Sequence, residues 1–262
     1  MIISLEHRTA LVGGASSGIG WAIAEALARA GARVVLVARS LQRLHERLRT
    51  LEELTGRQHA VIMANYDDPS AATIITSQLA EQGLQPEIII NNSGGPPPGA
   101  LSAAMRQEFH RALDRLILTT HELVQACLPA MQAQRWGRII NIISTSVRQP
   151  IDGLGVSNTI RAATAAWAKT LSLELAPYGV TVNSILPGAV RTERLEEIID
   201  RRAQQQGLSR DEVAVQMRTE IPLGRFGEPA EIAALAVFLC SDYAGYITGE
   251  CIRVDGGRTR CL

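Results

Sequence analysis

The chain has 262 residues, 46% of them apolar and 20% charged, and its 26 Lys and Arg balance its 26 Asp and Glu. That composition supplies ample core and excludes a disordered chain, while the absence of net charge argues against nucleic acid or an anionic membrane as a partner. The longest unbroken apolar run, Ile232 to Cys240, is nine residues, against about 20 for a bilayer span. Glu6, His7 and Arg8 stand where an export signal needs apolar residues, so the expected location is the cytoplasm. Cys127, Cys240, Cys251 and Cys261 lack metal-ligand spacing and read as reduced, mostly structural thiols, with no metal site.

The first β-rich run is Thr9–Val12. It leads into Gly13-Gly14-Ala15-Ser16-Ser17-Gly18-Ile19-Gly20 and then into apolar residues at helical spacing (Ile19, Ala22, Ile23, Ala26, Leu27, Ala30), stopped by Gly31. A glycine-rich turn between strand and helix lets backbone N–H groups approach a pyrophosphate, and the helix N-terminus adds positive partial charge. Gly14, Ser16, Ser17, Gly18, Ile19 and Gly20 are therefore the expected phosphate cradle of a dinucleotide. The second run, Arg33–Ala38, ends in Arg39-Ser40. An NAD-preferring fold presents a carboxylate to the ribose 2′-hydroxyl at this point. Arg39 instead suits a 2′-phosphate, aided by the hydroxyls of Ser40 and Ser16, so NADP(H) is the expected cofactor.

The third run, Ala60–Met63, leads to Asn65, whose amide suits an adenine edge. Four more runs follow at Glu87–Asn91, Arg138–Ile143, Val180–Leu186 and Ile252–Val254. Strands alternating with helices predict a single doubly wound α/β (Rossmann) domain over 1–262, with about seven strands in a mostly parallel sheet and helices on both faces. Such sheets bind ligands beyond the carboxyl ends of their strands, which places the site after Val12, Ala38, Met63, Asn91, Ile143 and Leu186.

The glycine turn, Asn91-Asn92-Ser93-Gly94, Ser144 and Pro187-Gly188 resemble, in order and spacing, the short-chain dehydrogenase/reductase family, and 3-oxoacyl-carrier-protein reductases among its members. The family's first motif reads TGxxxGxG; here Gly13 takes the threonine position and Gly14, Gly18 and Gly20 match. The resemblance implies that Asn91, Ser93 and Gly94 support the central strand and pass close to the adenosine ribose. It also implies that the loop Pro187, Gly188, Val190 and Thr192 lies by the nicotinamide amide. Tyr246-Ile247-Thr248-Gly249 and Val254-Asp255-Gly256-Gly257 resemble the family's C-terminal signature, associated with subunit contacts, which implies a homodimer or homotetramer. Ile232–Cys240 and the last strand are the expected buried surface of that assembly.

The family's catalytic set is Asn, Ser, Tyr and Lys. Registered on this chain, Ser144 matches the serine, while Leu116, Ser157 and Arg161 stand at the asparagine, tyrosine and lysine positions. A phenol with pKa ~10 can be drawn toward neutrality beside a cation and donate a proton, and an aliphatic hydroxyl is a far weaker acid. Arg161 keeps the positive charge and is suited to the nicotinamide ribose, but stays protonated. The expected function is an NADP-dependent oxidoreductase acting on a carbonyl or alcohol through Ser144, Ser157 and Arg161. The competing expectation is a catalytically silent dinucleotide-binding protein of the same fold. The charged segment 191–220 is the expected substrate lid, and Arg148 and Asp152 read as a solvated loop near the substrate mouth.

Overall fold

The computed structural model describes residues 2–261. Seven parallel strands form one sheet in the order β3-β2-β1-β4-β5-β6-β7. The strands are β1 (Thr9–Gly13), β2 (Arg33–Ala38), β3 (Ala60–Met63), β4 (Ile88–Asn91), β5 (Gly137–Ile142), β6 (Val180–Pro187) and β7 (Cys251–Val254). Each lies within one residue, at either end, of the run predicted from sequence. Gly13 and Pro187 join their strands because they pair with Val37 and Val254.

The sheet is covered on both sides, so its strands are apolar on both faces and successive residues part company. Ala10 and Val12 of β1, with Ile88 and Ile90 of β4, pack with Ile23 and Leu27 of α1 (Gly18–Arg29), Leu44 and Leu51 of α2 (Leu41–Thr55), and Ile232 and Leu239 of α9 (Pro229–Cys240). Leu11, Val35 and Val37 face the opposite way, onto Ile75 and Leu79 of α3 (Ala71–Glu81) and Leu123 of α5 (Thr119–Gln134). On the same side Ile89, Ile139 and Val182 meet Val124 and Met131 of α5 and Leu171 and Leu175 of α6 (Gly155–Leu175). Burying each such side chain favours the fold by about 1.5–3 kcal/mol. Because α9 lies against α1, Ile232, Ala233, Ala236, Leu239 and Cys240 are buried inside the chain, while Leu235, Val237 and Phe238 are only partly buried. The edge strand β7 remains only half-buried.

Helix α7 (Glu193–Gln206) and α8 (Arg210–Thr219) are separate from this core. Leu195, Ile199, Ala203, Val213, Met217, Ile221 and Phe226 form a small cluster of their own. Between α4 (Arg106–Leu113) and α5 the backbone widens into a π-helical turn over Asp114–Leu118, a feature often found beside functional sites. No helix among the described residues is long and apolar enough to cross a membrane.

The strand order reverses direction at β1, which pairs with β2 on one side and β4 on the other. A crevice opens beyond the carboxyl ends of two strands whose crossovers run to opposite sides. The glycine turn after β1 and Asn92-Ser93-Gly94 after β4 meet there.

Candidate active site

The turn after β1 is backbone machinery. Gly14 has φ +58°, in the left-handed region that favours glycine. A Cβ at Gly20 would lie 2.3 Å from the Gly14 carbonyl oxygen and 2.6 Å from Asn92 Nδ2. Asn92 donates to the Gly13 carbonyl at 3.0 Å and so ties the β4 exit to the turn. Ser17 is the N-cap residue of α1, yet its hydroxyl caps no backbone N–H. The first-turn N–H groups, of Gly18, Ile19 and Gly20, thus have no side-chain cap and suit an anion. Ser93 Oγ is buried with no partner among the described residues. These features fit a dinucleotide phosphate and ribose.

At the ribose end, Arg39 and Ser40 are both exposed. Arg39 has no hydrogen-bond or ion-pair partner among the described residues, and Ser40 caps α2 by accepting from the Arg43 N–H at 3.4 Å. Asn65, exposed beyond β3, accepts from the Asp67 N–H at 3.3 Å. Asn91 is committed to the sheet: its amide donates to Asn141 Oδ1 at 2.9 Å and accepts from Thr120 Oγ1 at 2.5 Å. It holds the strand ends together, and its neighbours Ser93 and Gly94 face the crevice.

At the other end, β5 delivers Ser144 and α6 delivers Ser157 and Arg161, one turn apart. Arg161 Nε donates to Ser157 Oγ at 3.2 Å, and Nη1 donates to the carbonyl oxygens of Ile143 at 2.6 Å and Ile142 at 3.4 Å. Nη2 lies against Gly95. Burial, and then the positive charge of Arg194 in α7, hold the guanidinium down to about 10. The sequence expectation gave this cation both a catalytic and a ribose-binding role; its Nε–H and Nη1–H groups bind the chain itself, and Nη2 remains for a ligand. Ser144 Oγ accepts from the Ser146 N–H at 3.1 Å, which leaves its own O–H free to donate. Leu116 is buried with Ala112, Ile117, Val156 and Ile160 in an apolar wall.

Three arginines that sequence reasoning missed frame the crevice. Arg115, in the π-helical turn, pairs with Asp67 and donates to the carbonyls of Gly94 and Gly95, each at 3.2 Å. Arg47 donates to the Ser16 carbonyl at 3.2 Å and lies 4.5 Å over the Trp21 ring. Arg43 approaches Glu193 of α7. The spacing of Arg39, Arg43 and Arg47 was the available signal for two of them.

The far loop is organised differently. Gly188 donates to the Val254 carbonyl at 3.0 Å, Val190 is buried, and Thr192 caps α7 by accepting from the Leu195 N–H at 3.3 Å. A Cβ at Gly18 would lie 3.2 Å from Thr192 Cγ2, so α7 begins directly over the glycine turn. A cavity of about 470 Å³ lies beside the site, lined by Ser146, Ile151, Asp152, Asn158, Thr159 and Ala162 among others. On α6, Asn158 and Ala162 are each turned about 100° from the neighbouring Ser157 and Arg161, and Thr159 lies on the opposite face of the helix; Arg148 is exposed. Burial pushes the Cys127 and Cys240 thiols up to about 12, which makes them poor nucleophiles.

The chain matches the family described as enoyl-(acyl carrier protein) reductase over residues 14–259. It is 33% identical to the 3-oxoacyl-(acyl-carrier-protein) reductase of Aquifex aeolicus, over 98% of this chain and 99% of that one. It is 28% identical to the NADPH-dependent reductase BacG of Bacillus subtilis, over 98% of this chain and all of the other. Among solved structures, L-sorbose reductase from Gluconobacter frateurii, complexed with NADPH and L-sorbose, superimposes with a TM-score of 0.94 at 30% identity over the whole of both chains. Glycine turn, strand order and relatives agree, and the chain belongs to the short-chain dehydrogenase/reductase family of oxidoreductases.

Proposed function

We propose that the chain is an NADP(H)-dependent oxidoreductase that interconverts a carbonyl and an alcohol, with Ser144, Ser157 and Arg161 at the reacting end. The observation that carries this is the Arg161–Ser157 pair at 3.2 Å, which fixes a cation and a hydroxyl at the carboxyl end of β5. The nicotinamide, when bound, supplies or takes the hydride. Gly14, Ser16, Ser17, Gly18, Ile19 and Gly20 hold the pyrophosphate, Arg39 and Ser40 the 2′-phosphate, and Asn65 the adenine. Ser93, Gly94 and Arg161 Nη2 hold the ribose hydroxyls, Asn91 ties their strand, and Pro187, Gly188, Val190 and Thr192 flank the nicotinamide amide.

The chain's chemical task is to steady charge on the substrate oxygen. Ser144 and Ser157 donate hydrogen bonds to that oxygen, and Arg161, donating to Ser157 through Nε–H, keeps the Ser157 lone pair occupied and its O–H directed outward. A fixed cation near a developing alkoxide in a cleft with an apolar wall stabilises it without reorganisation. The proton reaches the oxygen from water, since neither serine is a strong enough acid. Helices α7 and α8, with their own small core, act as the lid over this end. The protein assembles as a homodimer or homotetramer, for which the exposed Tyr243 and Tyr246 offer apolar contact. The test is a screen of ketones and aldehydes with NADPH, repeated with Arg161→Ala: turnover that disappears or collapses in the variant supports the assignment, and turnover that is unchanged rejects it.

A further inference from the structure

Between the glycine turn and the lid, the first two turns of α2 carry cations along one face. Arg39 precedes the helix, Arg43 follows four residues later, and Arg47 four residues after that lies one turn on, donating to the Ser16 carbonyl. In sequence Arg43 lies midway between Arg39, which has no partner among the described residues, and Arg47, which reaches the phosphate turn. Its Nη1 is 3.4 Å from both carboxylate oxygens of Glu193, 150 positions along the chain, and both side chains are more than half exposed. Glu193 is the first residue of α7, whose cap Thr192 rests against Gly18. A carboxylate at the start of α7 therefore reaches a cation four residues along from Arg39.

We infer that Arg43 is a second cation of the 2′-phosphate subsite, and that Glu193 holds it only until that phosphate binds. The inference rests on the reading that this crevice takes NADP(H). A 2′-phosphate carries about −1.5 to −2 charges and three acceptor oxygens, more than one arginine satisfies. The long, weak contact to Glu193 is an exposed ion pair, of the kind worth little by itself, so a phosphate between Arg39 and Arg43 displaces it. Glu193, left beside an anion, is then repelled. NADP(H) therefore releases the start of the lid helix from α2, whereas NAD(H), with a neutral 2′-hydroxyl, leaves the pair intact. Cofactor selection and lid mobility share one arginine.

The test is calorimetric titration of the full chain with NADP⁺ and NAD⁺, using the unmutated protein, Arg43→Ala and Glu193→Gln, together with hydrogen exchange of the α7 amides. Arg43→Ala is expected to weaken NADP⁺ about tenfold, the scale of one charge-assisted hydrogen bond, and to leave NAD⁺ within about twofold. Glu193→Gln removes the competitor and is expected to tighten NADP⁺ about two- to fivefold. The first amides of α7 exchange faster with saturating NADP⁺ than with saturating NAD⁺. Equal losses for both cofactors in Arg43→Ala, weaker NADP⁺ binding in Glu193→Gln, or identical exchange with both cofactors would overturn the inference while leaving the cofactor assignment standing. An unmutated chain that binds no NADP⁺ would overturn both.

Discussion

The two ends of the crevice are built from different materials. At the phosphate end the contacts are offered by backbone: Gly14 and Gly20 admit no Cβ, Asn92 fastens the turn, and the first N–H groups of α1 carry no side-chain cap. At the reacting end they are offered by side chains: Ser144 serves the Ser146 N–H, and Arg161 serves Ser157 and two carbonyls. A backbone site depends on shape and persists wherever the glycines persist. A side-chain site depends on the acidity and reach of single groups, here the Ser144 and Ser157 hydroxyls and the Arg161 guanidinium. Binding and chemistry can therefore diverge within one chain, and each can be broken separately.

The largest effect is expected at the backbone end. Gly20→Ala places a methyl 2.3 Å from the Gly14 carbonyl oxygen, an overpacking worth about 1–3 kcal/mol or more, so urea unfolding should show lower stability and titration should show no NADP⁺ binding. At the reacting end the effects should appear in turnover and spare binding. Arg161→Ala is expected to slow turnover about 10²-fold or more, the cost of a preorganised donor. Ser144→Ala should fall between that and Ser157→Ala, whose hydroxyl a water can replace. A steady-state comparison of the three variants checks the ranking, and an order led by Ser157 would mean that the cation is not the main stabiliser. Between the two ends, Arg39→Ala should weaken NADP⁺ about tenfold and leave NAD⁺ unchanged; equal affinities for the two cofactors in the unmutated chain would contradict the role given to Arg39.

The smallest expected effect serves as a control away from the crevice. His59 is buried, its Nδ1 accepts from the Val34 N–H at 3.0 Å, and Nε2 lies 2.9 Å from Thr55 Oγ1. Burial lowers its pKa below the ordinary 6.5; Glu52 opposes the shift, and Arg33 and Arg57 add to it. The unfolded chain thus takes up a proton that the folded chain resists, so the neutral ring's contribution is full above pH 6.5 and is lost as pH falls through the depressed value. Denaturation midpoints should decline on acidification over that range, and His59→Gln should flatten the decline. An unchanged slope in the variant would assign the acid sensitivity to other groups.

The strands were legible because each is short, apolar and β-branched, and the phosphate end was legible because the glycine turn is contiguous in sequence. Helices α7 and α8 were legible only as a charged helical segment; their private core, Leu195 with Phe226, depends on a chain reversal that periodicity does not announce. The π-helical turn at Asp114–Leu118 leaves no compositional mark. The ties that organise the crevice join distant positions: Arg115 to Asp67, Arg43 to Glu193, and Arg161 to the Ile143 carbonyl. The last is a tie between the cation and the β5 exit that the residue type alone does not reveal. A residue type identifies a cation, and only the fold shows what already occupies it.

We propose that this site turns over with Ser157 and Arg161 as its hydroxyl and cation. The direct measurement is NADPH consumption by the unmutated protein across a panel of ketones and aldehydes, with NADPH binding measured in the same sample by calorimetry. Binding is expected together with consumption that depends on the carbonyl added. Tight NADPH binding with no consumption for any carbonyl, and no NADP⁺ reduction with the matching alcohols, would contradict it and leave a protein that holds the cofactor without using it.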